Sequence, residues 1–153
     1  MRVIVDSNVL ARATYSVNGP AAEVVRKLAD PPHILIVSPS LLAELGRVLG
    51  YPRLQRLHGF DQPQIELAVA AIAALATSVE PQEGELVRVV PDDPDDDHVL
   101  AAAVAGKVNV ICTLNKHFYH RAVIAYCSER SIEVLDDVSL LARLRESEAG
   151  TTS

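Results

Sequence analysis

The chain contains 153 residues, 49% of them hydrophobic, and its 20 acidic and 14 basic side chains give a formal net charge of −6. A chain of this length forms a single domain that removes roughly two-thirds of its unfolded surface from water. Its hydrophobic content excludes intrinsic disorder as the main state. We therefore expect one domain over residues 1–145 and a disordered tail over residues 146–153, where small, polar and acidic residues collect.

The N-terminal residues and the cysteines indicate a cytoplasmic protein. Residues 1–6 turn acidic before any signal-type apolar segment develops. The longest apolar stretch, residues 68–76, is too short for the roughly 18 to 20 residues that cross a bilayer, so no membrane span is expected. Cys112 and Cys127 are too few for a disulfide framework or a Cys-based zinc site, which predicts reduced, buried thiols.

Strands and helices alternate in the sequence pattern. Short apolar runs rich in β-branched residues predict strands at residues 2–5, 34–37, 86–90, 108–113 and 132–135. Helical periodicity between them predicts helices at residues 20–30, 39–49, 62–76 and 94–105. This alternation predicts a three-layer α/β/α sandwich with a mainly parallel central sheet and a central first strand. Active sites of such folds lie at the carboxyl ends of the strands.

Two acids occupy positions where this fold places functional groups. Asp6 directly follows the first strand, where it is equally suited to a site and to capping a helix. Glu44 lies on the flank of the apolar face of the helix over residues 39–49, so it can point inward as a ligand or outward into water.

A dense acidic run occupies residues 92–97, of which five are Asp. Asp93 before Pro94 is typical of a helix N-cap and first helical residue. On the helix that follows, Asp96 lies within about 10° of the centre of the apolar arc, whereas Asp97 lies about 90° from it. Because a buried unpaired carboxylate is costly and few basic residues are available, a divalent cation is the simplest partner for these acids.

Three further polar residues accompany these acids. Thr113 ends the strand predicted over residues 108–113 and Asn115 follows it at the same edge of the sheet, although a turn explains each of them better when it is taken alone. His98 adjoins the acidic run, but its angle of about −100° on the predicted helix indicates a solvent-facing side chain.

Four motifs together resemble those of PIN-domain nucleases, in particular the VapC-like toxins of bacterial toxin–antitoxin systems. They cover almost the whole chain and read, in order, Val-Asp6-Ser-Asn8-Val-Leu, Leu-Leu-Ala-Glu44-Leu, Asp93-Pro-Asp-Asp96-Asp97-X-X-Leu-Ala-Ala-Ala and Thr113-Leu-Asn115-Lys-His-Phe118. The resemblance implies a Rossmann-like fold, a cluster of acids that binds Mg²⁺ or Mn²⁺, and hydrolysis of phosphodiester bonds in single-stranded RNA. It also implies a cognate antitoxin protein as partner. The apolar residues of the helix over residues 62–76 suggest a homodimer or an antitoxin groove, although a covered core helix explains them equally well.

The resemblance also assigns roles to individual residues. Asp6 matches the first acid, Glu44 the second and either Asp96 or Asp97 the third, with the helical angle favouring Asp96 as the main ligand. Asn115 stands where the family often has Asp, and it would hold a second metal more weakly. Asp93 and Thr113 are auxiliary candidates, and His117 replaces a second frequent Asp.

The distribution of charge is compatible with binding of nucleic acid. Without Asp6, Glu44 and the five Asp of residues 92–97, 13 acids face 14 basic residues and the net charge is +1. Candidate contacts to an RNA backbone are Arg47, Arg53, Arg56, Lys116, His120 and Arg121, although ordinary surface charge explains each one. Tyr51 and Phe60 are possible base-stacking residues that fit a core or an interface better.

Two alternatives compete with a nuclease. A PIN-like module that binds RNA or a protein without cutting is favoured by the departures at Asn115 and His117. A phosphoacceptor receiver domain also uses Asp residues at strand ends and Mg²⁺, but it requires a paired acid near the first strand and a lone Asp after the third, which this sequence lacks.

Overall fold

The computed structural model describes residues 1–81 and 97–151, with the backbone alone at Asp97 and Thr151. Its strands are β1 (Arg2–Val5), β2 (Ile34–Val37), β3 (Thr77–Ser78), β4 (Val110–Cys112) and β5 (Glu133–Leu135). Its α-helices are α1 (Ser7–Tyr15), α2 (Pro20–Leu28), α3 (Pro39–Leu49), α4 (Pro52–His58), α5 (Gln62–Leu75), α6 (Asp97–Ala105), α7 (Arg121–Ser128) and α8 (Asp137–Thr151). A short 3₁₀ helix, Lys116–Tyr119, follows β4.

The five strands form one sheet in the order β3-β2-β1-β4-β5, and each described pair of neighbours is parallel. Val3 of the central strand lies opposite Leu35 of β2 on one side and Val110 of β4 on the other. The predicted α/β/α architecture and the central position of β1 are confirmed. The sheet goes beyond the prediction of a mainly parallel one, because all its described strands are parallel.

Several predicted elements differ in extent. The strand over residues 108–113 shortens to β4, the strand over residues 132–135 to β5, and the first predicted helix ends at Leu28. β3 is a two-residue strand that the sequence pattern did not predict. The predicted strand over residues 86–90 and the start of the helix over residues 94–105 lie outside the described residues.

Local capping fixes where the helices begin. The side chain of Ser38 accepts a hydrogen bond from the backbone N–H of Leu41 at 3.1 Å, directly after β2. Asp61 accepts one from the N–H of Gln64, whose side chain accepts one in return from the N–H of Asp61, at 2.9 and 2.8 Å. These caps satisfy N–H groups that have no partner within the helix, and the first of them sets the start of α3 at the carboxyl end of β2.

Helix α6 lies close against the sheet. Its Ala101, Ala102 and Ala103 are each at most 3% exposed, as the small side chains predict. The helix ends before Gly106, where a Cβ atom would stand 2.9 Å from the Cγ2 of Ile36 on β2. A larger residue there would push the helix and the strand apart.

The C-terminal residues are more regular than predicted. Helix α8 continues past Arg145 to Thr151, where composition predicts a disordered tail. One contact that holds it is the ion pair between Lys27 of α2 and Glu148, at 2.7 Å. The domain boundary at residue 145 stays a prediction.

The two cysteine thiols lie inside the fold, as the sequence predicts. Cys112 and Cys127 are unpaired and buried, and burial raises the pKa of both, that of Cys127 to about 11. Among the helices of residues 1–81 and 97–151, none combines the length and the apolar character needed to cross a membrane.

Candidate active site

The strand order changes direction between β1 and β4, and the polar residues of the candidate site collect at the carboxyl ends of these two strands. Asp6 follows β1 and Thr113 follows β4. The backbone N–H of Asp6 donates to the carbonyl of Cys112 at 2.9 Å, which locks the two strand ends side by side. This switch point is where open parallel sheets bind their ligands.

Asp6 is a buried carboxylate with hydrogen bonds at both oxygens. It is 1% exposed. Oδ1 accepts the N–H of Ser7, and Oδ2 accepts the hydroxyl of Thr113, both at 2.8 Å. Asp6 therefore caps α1 while facing the switch point. Burial raises its pKa above the ordinary value of 3.8, and these two hydrogen bonds oppose that shift.

Glu44 points toward Asp6 from the flank of α3, so the inward orientation is the one that the structure shows. Oε1 accepts the hydroxyl of Ser7, and Oε2 accepts the Nε2–H of His98, each at 2.6 Å. The pKa of Glu44 is lowered, first by the hydrogen bond from His98, although burial acts in the opposite direction. Ser7, which is fully buried, thus connects the two carboxylates, because its N–H meets Asp6 and its hydroxyl meets Glu44.

The predicted solvent exposure of His98 is wrong. Its side chain is 23% exposed, and its ring meets Glu44 in the site. The helical angle describes the direction of His98 relative to the apolar arc of α6, but it contains no information about the helices that pack beside α6. Helix α3 packs against this flank of α6 and carries Glu44. A side chain that points away from the apolar arc of α6 therefore points into the candidate site.

Thr113 and Asn115 form a supporting chain beneath Asp6. The hydroxyl of Thr113 donates to Asp6 and accepts the N–H of Asn115, at 3.0 Å, while Tyr119 donates its hydroxyl to the Thr113 carbonyl. The side chain of Asn115 accepts the N–H of His117 at 3.0 Å and caps the 3₁₀ helix. Asn115 therefore has the turn-forming role that the sequence left open, at a position that adjoins the site.

The predicted third acid lies at the limit of the described residues. Asp93 and Asp96 lie outside them, and Asp97 begins α6 with its backbone alone described. Within residues 1–81 and 97–151 there is no group of three or more His, Cys, Asp or Glu side chains arranged to hold a metal ion. Two of the predicted ligands, Asp6 and Glu44, are therefore brought together here.

Asp137 is a buried acid that the sequence reasoning missed. It is 3% exposed and begins α8 just after β5, at the same edge of the sheet as Asp6. Its Oδ1 accepts the N–H of Val138, and its Oδ2 lies 4.0 Å from a guanidinium nitrogen of Arg12. The rule that singled out Asp6, an acid directly after an apolar run, also points to Asp136 and Asp137 after residues 132–135.

The basic and aromatic candidates lie at the surface. The six basic residues proposed as backbone contacts are all exposed: Arg47, Arg53, Arg56, Lys116, His120 and Arg121. Tyr51 is 50% exposed, whereas Phe60 stacks on His58 with ring centroids 4.3 Å apart and packs against the core. Phe60 is thus held within the fold, while Tyr51 is open to a ligand.

A parallel α/β sheet with two carboxylates at its switch point defines a Rossmann-like class of proteins whose chemistry takes place at the strand ends. Comparison with family models narrows this class, because the PIN domain model matches residues 2–117. The chain therefore belongs to the PIN domain family, whose members are in general metal-dependent nucleases. Comparison with curated proteins gives no significant match.

The donor atoms at the switch point fit the divalent cation that the family uses. Carboxylate oxygens are the ligands that hard cations prefer. The pKa of Asp6 is raised because its ionised form lies buried, and a nearby positive charge would favour that form. Each carboxylate oxygen has more than one lone pair, so the hydrogen bonds to Asp6 and Glu44 leave room for a further ligand contact.

Proposed function

We propose that the chain is a metal-dependent endoribonuclease that hydrolyses phosphodiester bonds of single-stranded RNA in the cytoplasm. The observation that carries the proposal is the convergence of Asp6 and Glu44, 38 positions apart in the chain, on the single residue Ser7. A structural helix cap needs only Asp6. The inward carboxylate of Glu44 has no role in capping α1, and it adds negative charge that also raises the pKa of Asp6.

In this mechanism the protein side chains hold the acids in place. Asp6 and Glu44 would be ligands of Mg²⁺ or Mn²⁺, together with Asp96 or with Asp97, the first residue of α6. When bound at these residues, such an ion would supply positive charge to polarise a phosphoryl oxygen and to acidify a water molecule. Thr113 fixes the orientation of Asp6, while Ser7 and His98 fix that of Glu44. Such outer partners set the geometry that a metal site requires.

We further propose that the enzyme is the toxin of a toxin–antitoxin pair and forms a homodimer. The support is the apolar surface of α5, where Leu67 is 69% and Leu75 is 49% exposed. Beside it lies a cleft of about 270 Å³ lined mainly by apolar side chains of α1, α2 and α5, including Ala22, Val25 and Ile72. Surfaces of this kind are typical of interaction sites.

The test of the nuclease is cleavage of 5′-labelled single-stranded RNA by the purified full chain, without antitoxin, in Mg²⁺, Mn²⁺ or EDTA. We expect cleavage in either metal and none in EDTA. Asp6→Asn keeps the capping oxygen but loses the charge, and we expect at least about a 100-fold loss of rate because the ligand itself is altered. Asp61→Asn is the matched control, since Asp61 is also a helix cap but is exposed. Equal cleavage by both variants, or no metal-dependent cleavage, would refute the proposal.

A second candidate function is a PIN-like module that binds RNA or a protein partner without cutting. It is favoured by Asn115, whose side chain is engaged in capping the 3₁₀ helix at the position where an acid is frequent in the resembling proteins. Metal binding measured by calorimetry, with no RNA turnover in the same buffer, would establish this alternative.

A further inference from the structure

A polar cleft of about 410 Å³ adjoins the switch point. Its walls come from α1, α4 and the segment after β4, and they include Asn8, Arg12, Tyr15, Arg53, Leu114 and Asn115. Asn8 stands two residues after Asp6, and Asn115 stands two residues after Thr113. Asn115, whose N–H donates to the Thr113 hydroxyl, therefore belongs both to the surroundings of the candidate active site and to the wall of the cleft. Its volume lies in the range of about 300–1,000 Å³ that small-molecule sites occupy.

The charge of the cleft is opposite to that of the protein as a whole. Arg12 and Arg53 are both exposed and both line it, whereas the described lining residues include no carboxylate. Two guanidinium groups in one concave surface, on a chain with a net charge of −6, form a local site for an anion. The planar fork of Arg suits the oxygens of a phosphate.

Arg12 is held by a buried acid behind it. The Oδ2 atom of Asp137 lies 4.0 Å from the Nη1 of Arg12 and accepts no hydrogen bond from the described residues. The side chain of Asp137 is 4% exposed and that of Arg12 is 48% exposed. One nitrogen of the guanidinium group thus lies near the Asp137 carboxyl group, while the half-exposed side chain of Arg12 lines the cleft. Asp137 is in this sense a positioning residue for Arg12.

The remaining walls match the other parts of a nucleotide. Tyr15 is half-buried, and Leu114 is 41% exposed, so each offers apolar surface to a base. The amide groups of Asn8 and Asn115 both donate and accept hydrogen bonds, as base edges and ribose hydroxyls require. A cationic surface, an apolar surface and amides in one cleft are the combination by which proteins bind single-stranded nucleic acid.

We propose that this cleft binds the nucleotide of the RNA strand adjacent to the bond that is cleaved, with its phosphate on Arg12 and Arg53 and its base against Tyr15 and Leu114. This inference rests on the proposed function, since the neighbouring switch point is taken as the site of cleavage. It assigns Arg12 and Asp137, which have no place among the metal ligands, to substrate binding and to positioning.

Binding of a short fluorescent single-stranded RNA, followed by anisotropy in the Asp6→Asn background, tests the cleft without interference from cleavage. We expect Arg12→Gln and Arg53→Gln each to raise Kd about tenfold, because each removes a charged hydrogen bond to phosphate. The slope of log K against log salt should fall by about 0.7 for each lost contact. Arg130→Gln is the matched control, since Arg130 is also exposed but precedes β5, at the opposite edge of the sheet.

The role of Asp137 is tested by a double-mutant cycle. We expect Asp137→Asn to raise Kd less than Arg12→Gln does, and to have no further effect once Arg12 is replaced. Additive losses of affinity would show that Asp137 acts independently of Arg12, and circular dichroism of each variant checks that the fold is retained. Full additivity would therefore overturn the positioning role.

The outcomes separate the cleft from the proposed function. If Arg12→Gln and Arg53→Gln bind RNA as well as Arg130→Gln does, the cleft proposal is refuted even when the wild-type chain cuts RNA. If the wild-type chain cuts no RNA but the arginine variants still lose affinity, the nuclease fails, the cleft is an RNA-binding site, and its assignment to the nucleotide beside a cleaved bond is overturned. A nucleoside monophosphate that displaces the RNA at equal concentration would identify a free-nucleotide site instead and would overturn the assignment to a strand.

Discussion

The two edges of the sheet differ in the solvent exposure of their polar side chains. At the carboxyl edge a set of polar side chains is at most 3% exposed: Asp6, Ser7, Ser38, Thr113 and Asp137. Each of them immediately follows a strand or begins the helix after it. At the amino edge the polar groups stay in water, as in the ion pair of Arg143 with Glu133 at the start of β5, whose side chains are 43% and 56% exposed. Among the described residues, every buried polar side chain thus belongs to one edge.

The amino edge has the arrangement that favours stability, whereas the carboxyl edge has one that stability alone does not explain. Burying a polar or charged group costs free energy unless it is well paired, and a fold gains nothing from gathering several such groups at one edge. The amino edge follows the cheaper arrangement, in which charges are solvated and contribute little. The carboxyl edge carries a cost that a bound cation and substrate would offset.

The largest expected effect is stabilisation by metal. If the carboxyl edge is strained by unneutralised acids, Mg²⁺ or Mn²⁺ at about 100 times its Kd should raise the free energy of unfolding by about 2.7 kcal/mol. Denaturant unfolding with and without metal measures it. Asp6→Asn should abolish the gain and Arg143→Gln should retain it. An equal gain in both variants would place the metal elsewhere.

Replacement of His98 tests whether Glu44 is held in place by its neighbour. We expect His98→Ala to weaken metal binding by about 10- to 100-fold, as loss of an outer hydrogen bond to a ligand does. Isothermal titration calorimetry gives the affinity. His98→Gln keeps an N–H donor and should recover part of the loss. Unchanged affinity in His98→Ala would show that the 2.6 Å contact with Glu44 has no bearing on the metal.

Thr113→Val tests the supporting chain under Asp6. The substitution keeps the shape but removes a buried hydroxyl that donates to Asp6 and accepts from the N–H of Asn115. We expect it to lower the free energy of unfolding by about 1–3 kcal/mol, because both groups are left without that partner. Thr77→Val on the exposed strand β3 is the control and should change stability by less than about 0.5 kcal/mol. Similar losses in the two variants would deny a special role to Thr113.

The pH dependence of stability isolates Asp6. Its pKa in the folded chain is raised by burial, so the folded state keeps a proton that the unfolded state has already released. The metal-free chain must then lose stability as pH rises from the ordinary value of 3.8 through the raised folded pKa. Asp6→Asn removes this loss. In EDTA, the free energy of unfolding of Asp6→Asn minus that of the wild type should therefore increase with pH. If this difference stays constant between pH 4 and 8, the pKa of Asp6 is not raised by burial.

The smallest effect is expected at the amino edge. Arg143→Gln breaks an exposed ion pair with Glu133, and we expect a change in unfolding free energy of less than about 0.5 kcal/mol. The same denaturant titration measures it. A loss as large as that of Thr113→Val would erase the contrast between the two edges.

The sequence predicted those features that depend on local pattern. The strands β1 and β2 and the helix Pro39–Leu49 follow from apolar runs and from Pro and Ser at helix starts, and the place of Asp6 follows from the strand before it. What it missed depends on which elements pack together. The angle of a residue on one helix does not show that α3 lies against the outward flank of α6. Because of this packing, His98 contacts Glu44 and belongs to the candidate site.

Asp137 is a second residue whose role depends on packing that the sequence pattern does not show. Its position after β5 was visible in the sequence, but its importance depends on burial and on the approach of Arg12, a residue 125 positions away. The helix α1, which begins at Ser7 directly after Asp6, was also not predicted, because the polar pair Ser7 and Asn8 is equally typical of a turn.

The hydrogen bond between Thr113 and Asp6 joins residues 107 positions apart, and it has a consequence for synthesis of the chain. A ribosome that adds about 5–20 residues per second needs between about 5 and 20 s to pass from the first residue to the second. During that interval β1 lacks its β4 neighbour, and Asp6 has no hydroxyl to orient it. The candidate site therefore cannot assemble until most of the chain has been made. Any activity of this site begins only late in synthesis, shortly before the chain leaves the ribosome.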